Sequence, residues 1–198
     1  MALSELFILI QWDMKINHGW SWDRMRARLM LLDLRWEQFI HRNLGKGPFV
    51  FLWYLTRLFG SLFQWFLCNS NIPGTTIIGR GLRLPHPQNI IIAGFSEIGE
   101  FCTIYHNVSI AWNGFLPVKP SAPKIGDQVL IGAGSIIVGD IEIGSDVLIG
   151  AGTVVTHSIV DHSRVVCAPA VVASRHPGDQ AALPGSDRHI QDPYSIWR

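Results

Sequence analysis

Apolar positions in the second half of this chain recur with a period that belongs neither to a helix nor to a single strand. Ile125, Ile131, Ile137, Ile143, Ile149 and Val155 stand six residues apart, and glycine follows four of them, at Gly126, Gly132, Gly144 and Gly150. An amphipathic helix repeats about every 3.6 residues and a half-buried strand every second residue. Six-residue spacing with glycine in phase is instead the hexapeptide signature of a parallel β-helix, each hexad forming one flat side of a coil. The aliphatic residue points inward, and so does the mostly small or β-branched residue four places on: Val129, Ser135, Ile141, Val147 and Thr153. The glycine is expected to ease the backbone through the corner. Upstream the period begins at Ile72, Ile78, Leu84 and Ile90, resets by two residues to Ile92, and continues through Ile98, Ile104 and Ile110. Residues 111–124 break it, and Gly114, Pro117, Pro120 and Pro123 mark them as a loop extruded from a corner. The period fades after Val155 through Asp161 and Cys167.

Residues 1–68 lack this period and read as helical. Ser21 or Asp23 is placed to cap a helix running to about Ile40, with Met25, Leu29, Leu32 and Trp36 at helical spacing. Asn43, Gly45 and Gly47-Pro48 then mark a break. Phe49 to Cys68 holds twenty residues with one charge, Arg57, which is the length of a membrane span. Thr56, Arg57, Gly60, Ser61 and Gln64 interrupt it, so the first reading is a helix packed beneath the β-helix and against neighbouring subunits. Peripheral membrane contact through 49–68 is the second reading, since Trp53, Tyr54 and Trp65 suit a headgroup boundary, and a true span is the third. From about Ser174, three prolines and two glycines describe an irregular tail. The expected organisation is a mainly-β chain: a helical region 1–70, a β-helix 71–173 with loop 111–124, and a C-terminal tail 174–198.

A net charge of +1 gives no reason to expect a nucleic-acid partner. Cys68, Cys102 and Cys167 are odd in number and widely spaced, which fits a reducing compartment better than a disulfide framework or a zinc site. Cys102 falls on an inward position and reads as a small core hydrophobe. Met1 is not followed by the parts of a signal peptide. The expected location is the cytoplasm, with any membrane contact at the inner face of the plasma membrane.

Three hexads make a coil, so each hexad can be assigned to a side. Leu84, Ile104, Ile131, Ile149 and Cys167 then begin hexads on the same side, and two places after each come His86, His106, Ala133, Ala151 and Pro169. Successive members of this outward column lie about 4.8 Å apart at the backbone. Two histidines followed by small residues suit a reacting end continued by a smooth track for a long, thin ligand. A histidine there can act as general base on a hydroxyl attacking an acyl carbonyl. It needs an orienting partner on its other ring nitrogen, with Asn71 one candidate and a charged group from elsewhere another. A zinc-type site would need three neutral histidines, and adjoining coils supply two.

These motifs resemble the hexapeptide-repeat acyltransferases, specifically the serine acetyltransferase-like branch associated with polysaccharide, capsule and colanic acid biosynthesis. IGRGLRLPHPQNIII (78–92) is similar to the family's coil with the catalytic histidine, which falls on His86, and IYHNVSI (104–110) to the next coil, with His106. IGAGSII (131–137) and IGAGTVV (149–155) resemble the repeats whose backbone lines the coenzyme A groove, and VVCAPAVV (165–172) resembles the closing G-x-P-A segment over the coenzyme, with Cys167 in place of Gly. The resemblance implies a left-handed β-helix, a homotrimer with active sites between subunits, acetyl-CoA as co-substrate without a metal, and direct acetyl transfer. On the coenzyme side it implies Ala133, Gly134, Ala151, Gly152, Thr156 and Cys167. On the acceptor side it implies Asp13 and Asn17, in a D-x-x-x-N element; Trp112 and Asn113 are further acceptor-side candidates because they stand in the extruded loop expected to set acceptor specificity. His86, His106 and Asn71 form the expected catalytic set. Serine acetyltransferases carry Asp before the catalytic His, where this chain has Pro85. They carry a second His where it has Ala122, and the dyad acid where it has Asn71. These departures lead to the expectation of a saccharide hydroxyl as acceptor, with serine O-acetylation for cysteine biosynthesis or a non-catalytic scaffold as the alternatives.

Overall fold

A computed structural model describes residues 1–44, 47–112 and 122–167. Three helices, α1 (Leu3–Ile16), α2 (Trp22–Leu44) and α3 (Val50–Cys68), precede twelve strands of two or three residues each. The strands are β1 (Ile77–Ile78), β2 (Ile91–Ile92), β3 (Glu97–Ile98), β4 (Thr103–Ile104), β5 (Ser109–Ala111) and β6 (Lys124–Ile125). They continue as β7 (Leu130–Ile131), β8 (Ile136–Val138), β9 (Glu142–Ile143), β10 (Leu148–Ile149), β11 (Val154–Val155) and β12 (Arg164–Val165). All pairing is parallel and sorts the strands into three four-stranded sheets, β1-β3-β6-β9, β2-β5-β8-β11 and β4-β7-β10-β12. This is the three-sided parallel β-helix expected from the six-residue period. Every aliphatic residue of the period from Ile72 to Val155 is buried, as are most of the described residues four places on, including Thr76, Ser96, Cys102, Ser135 and Thr153, with Gln88 and Ile159 half-buried. Burial pushes the Cys102 thiol up to about 11, which fits a core residue rather than a nucleophile.

Two details of the coil differ from the sequence expectation. The glycine directly after the aliphatic residue does not turn the corner. The left-handed backbone falls three places after the aliphatic residue, at Phe95, Phe101, Asn107, Gln128, Asp146 and His162 as well as at Gly81, Gly134 and Gly152, and at Asn89 just before the two-residue reset. The glycine directly after the aliphatic residue is required by close approach between coils: a Cβ on Gly132 would lie 2.5 Å from the amide nitrogen of Ala151. The second difference is register. Ile143 pairs with Ile159, and Ile149 with Val165, so the coil after Val155 is two residues short. Cys167, not Pro169, therefore stands two places past the paired residue, in the outward column after Ala151.

The open end of a parallel β-helix leaves backbone groups without a neighbouring coil, and buried edges must be satisfied. Helices α1 and α2 do this with polar side chains. Asp13 accepts hydrogen bonds from the Gly81 and Leu82 amides, at 3.0 and 3.1 Å. Asn17 donates to the Leu82 carbonyl and accepts from the Leu84 amide. From α2, Arg35 donates to the Ile78 and Gly79 carbonyls and Gln38 to the Thr76 carbonyl, while Glu37 accepts from the Gly74 amide. Arg35 and Asp13 are paired at 2.8 Å, and both side chains are wholly buried. The buried stripe of α2 is consequently Ala27, Met30, Leu31, Leu34, Arg35, Glu37 and Gln38, and the predicted stripe of Met25, Leu29, Leu32 and Trp36 faces outward.

Helix α3 lies on α2 through Gly60 and Gln64, whose amide bonds Asp33. Most of its large apolar side chains, among them Phe51, Leu58, Phe59, Phe63 and Phe66, are exposed. No helix among the described residues is long and apolar enough to cross a membrane, so the spanning reading of 49–68 falls. Residues 113–121 and 168–198, which carry most of the extruded loop and the tail, lie outside the described residues.

Candidate active site

The strand carrying His86 is built by the same ladder as the rest of the coil. The Arg83 amide donates to the Cys102 carbonyl and the Ile104 amide to the Arg83 carbonyl, which sets residue 83 beside residue 103. His86 and His106 then stand at equivalent places one coil apart, with ring centroids separated by 5.6 Å and planes at 84°. The sequence-derived column is present for its first four members. His106 Nδ1 is buried without a partner among the described residues.

What orients His86 is Asp23, in the first turn of α2. Its Oδ2 lies 2.8 Å from His86 Nδ1, and Oδ1 accepts a 2.7 Å hydrogen bond from Gln88 Nε2. Ser21 caps that turn, accepting from the Arg24 amide at 3.2 Å, so the carboxylate sits at a defined helix start. The hydrogen bond from His86, aided by the one from Gln88, holds the Asp23 carboxyl below the usual carboxylate range. An ionised Asp23 accepts a hydrogen bond from Nδ1–H and so leaves the lone pair on Nε2, the tautomer a general base needs.

Asn71 is not that partner: its side-chain oxygen accepts a 2.9 Å hydrogen bond from Arg57 of α3. Asp13 cannot meet an acceptor either, because it is sealed between Arg35 and the coil edge. Asn17 has both amide atoms committed to the coil and touches the candidate cavity only at its border. The D-x-x-x-N element is thus a clamp that holds α1 on the strand leading to His86. Sequence reasoning singled out Asp23 only as a helix cap, and nothing local in the sequence links it to a histidine 63 residues away.

Beyond His106 the column continues through Ala133 and Ala151 to Cys167, whose thiol is 3.6 Å from the Ala151 carbonyl. The Gly134 and Gly152 amides, expected to hold a ligand, are bonded within the coil to the His106 and Ala133 carbonyls. Their contribution is the absence of side chains: a Cβ on Gly152 would meet nothing within 4 Å, and one on Gly134 would only graze the Gly152 amide nitrogen. Thr156 is not on this edge. It follows Val155 on another side and its hydroxyl lies 2.9 Å from His157 Nδ1. Trp112 directly follows β5, on that same other side, and is exposed, and Asn113 lies outside the described residues.

A cavity of about 680 Å³ opens beside His86, lined by Ile16 to His18, Trp20, Ser21, Asp23, Arg24 and residues 83–86. Among the described residues no group of three His, Cys, Asp or Glu side chains is placed to hold a metal ion.

The bacterial transferase hexapeptide family (six repeats) matches residues 122–157. The serine acetyltransferase of Staphylococcus xylosus is 33% identical over 158 residues, covering 80% of this chain and 70% of that protein. The chain belongs to the serine acetyltransferase family of hexapeptide-repeat acyltransferases. Among solved structures, the serine acetyltransferase of Neisseria gonorrhoeae superposes with a TM-score of 0.71 at 26% identity, over 88% of this chain and 68% of that one. A serine acetyltransferase in complex with CoA shares the fold with a TM-score of 0.65 at 20% identity, over 86% of this chain and 68% of that one. The chain thus spans roughly two thirds of each of these proteins. Its family relatives are named for serine, not for polysaccharide assembly, which overturns the saccharide reading drawn from Pro85, Asn71 and Ala122. Where those departures leave Asn71 in place of an acid, a carboxylate from a different element, Asp23, lies 2.8 Å from His86 Nδ1.

Proposed function

We propose that this chain is an acetyl-CoA-dependent serine O-acetyltransferase. The observation that carries the reading is the 2.8 Å Asp23–His86 pair at the rim of a cavity, on the edge that runs on through Ala133 and Ala151. His86 Nε2 takes the proton from the serine hydroxyl as that oxygen attacks the thioester carbonyl. The C–S bond then breaks, and the departing sulfur recovers the proton from the imidazolium, giving O-acetylserine and free CoA. Asp23 stays ionised throughout and stabilises the transient imidazolium. His106, 5.6 Å from His86 between ring centroids, lies on the coenzyme side of it and borders the thioester. The exposed small residues Ala133, Gly134, Ala151 and Gly152 leave room for the pantetheine arm. We read the coil as left-handed and the working unit as a homotrimer in which a neighbouring copy closes this edge.

The test is thiol release from acetyl-CoA by purified protein supplied with L-serine, with His86→Ala as control. Serine-dependent release that falls at least about 100-fold in the variant supports the reading. Release that His86→Ala leaves intact removes His86 from the mechanism, and silence with serine alongside turnover of another acceptor removes serine.

A further inference from the structure

The cavity beside His86 is cationic in a particular way. Among the described residues Asp23 is the only carboxylate that lines it, and both oxygens are committed, one to His86 and one to Gln88. Of its two arginines, Arg24 is tied through Nη1 to the His18 carbonyl at 2.6 Å. Arg83 is exposed, and its guanidinium has no hydrogen-bond or ion-pair partner among the described residues. Its backbone is nonetheless fixed by ladder bonds on both sides, to Cys102 and Ile104. Arg83 and Pro85 alternate outward along the strand that delivers His86, so a planar five-donor fork stands three residues from the base. A carboxylate finds a bidentate partner here, whereas an ammonium group finds no unengaged anionic one.

We infer that Arg83 receives the acceptor's carboxylate, and that this pocket selects hydroxy acids by that group while discriminating little on the α-ammonium. The inference rests on the acetyl-transfer reading above for its chemistry, but it names a residue and a preference that the reading does not require. Serine is held carboxylate-first, with its hydroxyl carried to His86, and an acceptor of the same length without the amine fits equally well.

The experiment compares L-serine, L-serinamide and 3-hydroxypropionate as acceptors for the wild type, Arg83→Gln and Arg83→Lys. Thiol release and calorimetric titration of each acceptor are both recorded. With the wild type, 3-hydroxypropionate is expected within about tenfold of serine in kcat/KM, and serinamide about 100-fold below it. Arg83→Gln raises KM for serine by about 10- to 100-fold, the range of a charge-assisted bidentate contact, and changes kcat by less than about threefold. It leaves serinamide unchanged, and Arg83→Lys restores part of the loss. An equal loss on serine and serinamide, or a serine KM within twofold of wild type, overturns the role of Arg83. A preference for serine over 3-hydroxypropionate beyond 100-fold overturns the indifference to the amine. If no acceptor releases thiol, the acetyl-transfer reading fails, and titration still decides this one. Carboxylates that bind the wild type and not Arg83→Gln uphold it, and carboxylates that bind neither overturn it.

Discussion

Replacing Asp23 with Asn tests the catalytic unit most directly, because it changes charge and hydrogen-bond polarity without changing shape. The pair has a contact of 2.8 Å, with 51% of the His86 side chain and 29% of the Asp23 side chain exposed. Unit charges about 4 Å apart interact by about 1 kcal/mol in water and about 4 kcal/mol at an effective dielectric of 20. Half-exposure places this pair between the two, so loss of the charge costs the imidazolium about 2 kcal/mol. Polarity adds to that. Asp23 accepts from both His86 and Gln88, and an asparagine can accept through only one of its two heavy atoms. Turning its amide toward His86 forces the proton onto Nε2 and abolishes the base; turning it toward Gln88 sets donor against donor. With about 1 kcal/mol for this conflict, the total is about 3 kcal/mol, or roughly a 150-fold fall in kcat. The assay is thiol release at saturating serine and acetyl-CoA, with the unfolding midpoint as a check on folding. In a His86→Ala background, Asp23→Asn should cost nothing further, since the two residues act as a unit. A folded Asp23→Asn enzyme within threefold of wild type would refute the dyad.

Two predictions concern the helical cap. Glu37, buried against Gly74 with Arg57 3.6 Å away, has its carboxyl pushed up to about 7 by burial. Its folded form therefore holds a proton that the unfolded chain has released, so stability falls as pH rises from about 4.5 to about 7 and is level above that. The contribution is about 3 kcal/mol across the window, and Asp33, also raised by burial, acts in the same direction. Urea unfolding at pH 5 and pH 7.5 should show the fall in the wild type and a smaller one in Glu37→Gln; equal slopes would remove Glu37 as the cause. Asp13→Ala leaves the Arg35 guanidinium buried without its counter-charge and should cost about 3–5 kcal/mol in denaturant unfolding. A loss below about 1 kcal/mol would mean that α1 is not clamped to the coil through this pair.

How far the sequence could be read follows from the range over which each feature is encoded. The coil is legible because a hexad states its own inward residue, and Ile125 to Val155 repeat that statement without interruption. The column through His86, His106, Ala133 and Ala151 came with it, since register is arithmetic once the period is known. It failed at Cys167 because Ile159 follows Val155 by four positions rather than six, a shortening that the pairing reveals and the composition does not. The inner face of α2 was illegible for another reason. Periodicity finds apolar stripes, whereas Arg35, Glu37 and Gln38 are buried because they complete the hydrogen bonds of the coil edge. Asp23 is hidden in the same way, as an ordinary residue of a helix start until that helix is laid across the strand. Asp13, Asn17 and Arg35 fix where α1 and α2 meet the coil, and that placement carries Asp23 to His86. The acid of this dyad is therefore held by contacts to the backbone of residues 78–84, so a change in the cap that spares every active-site side chain should still disable the base.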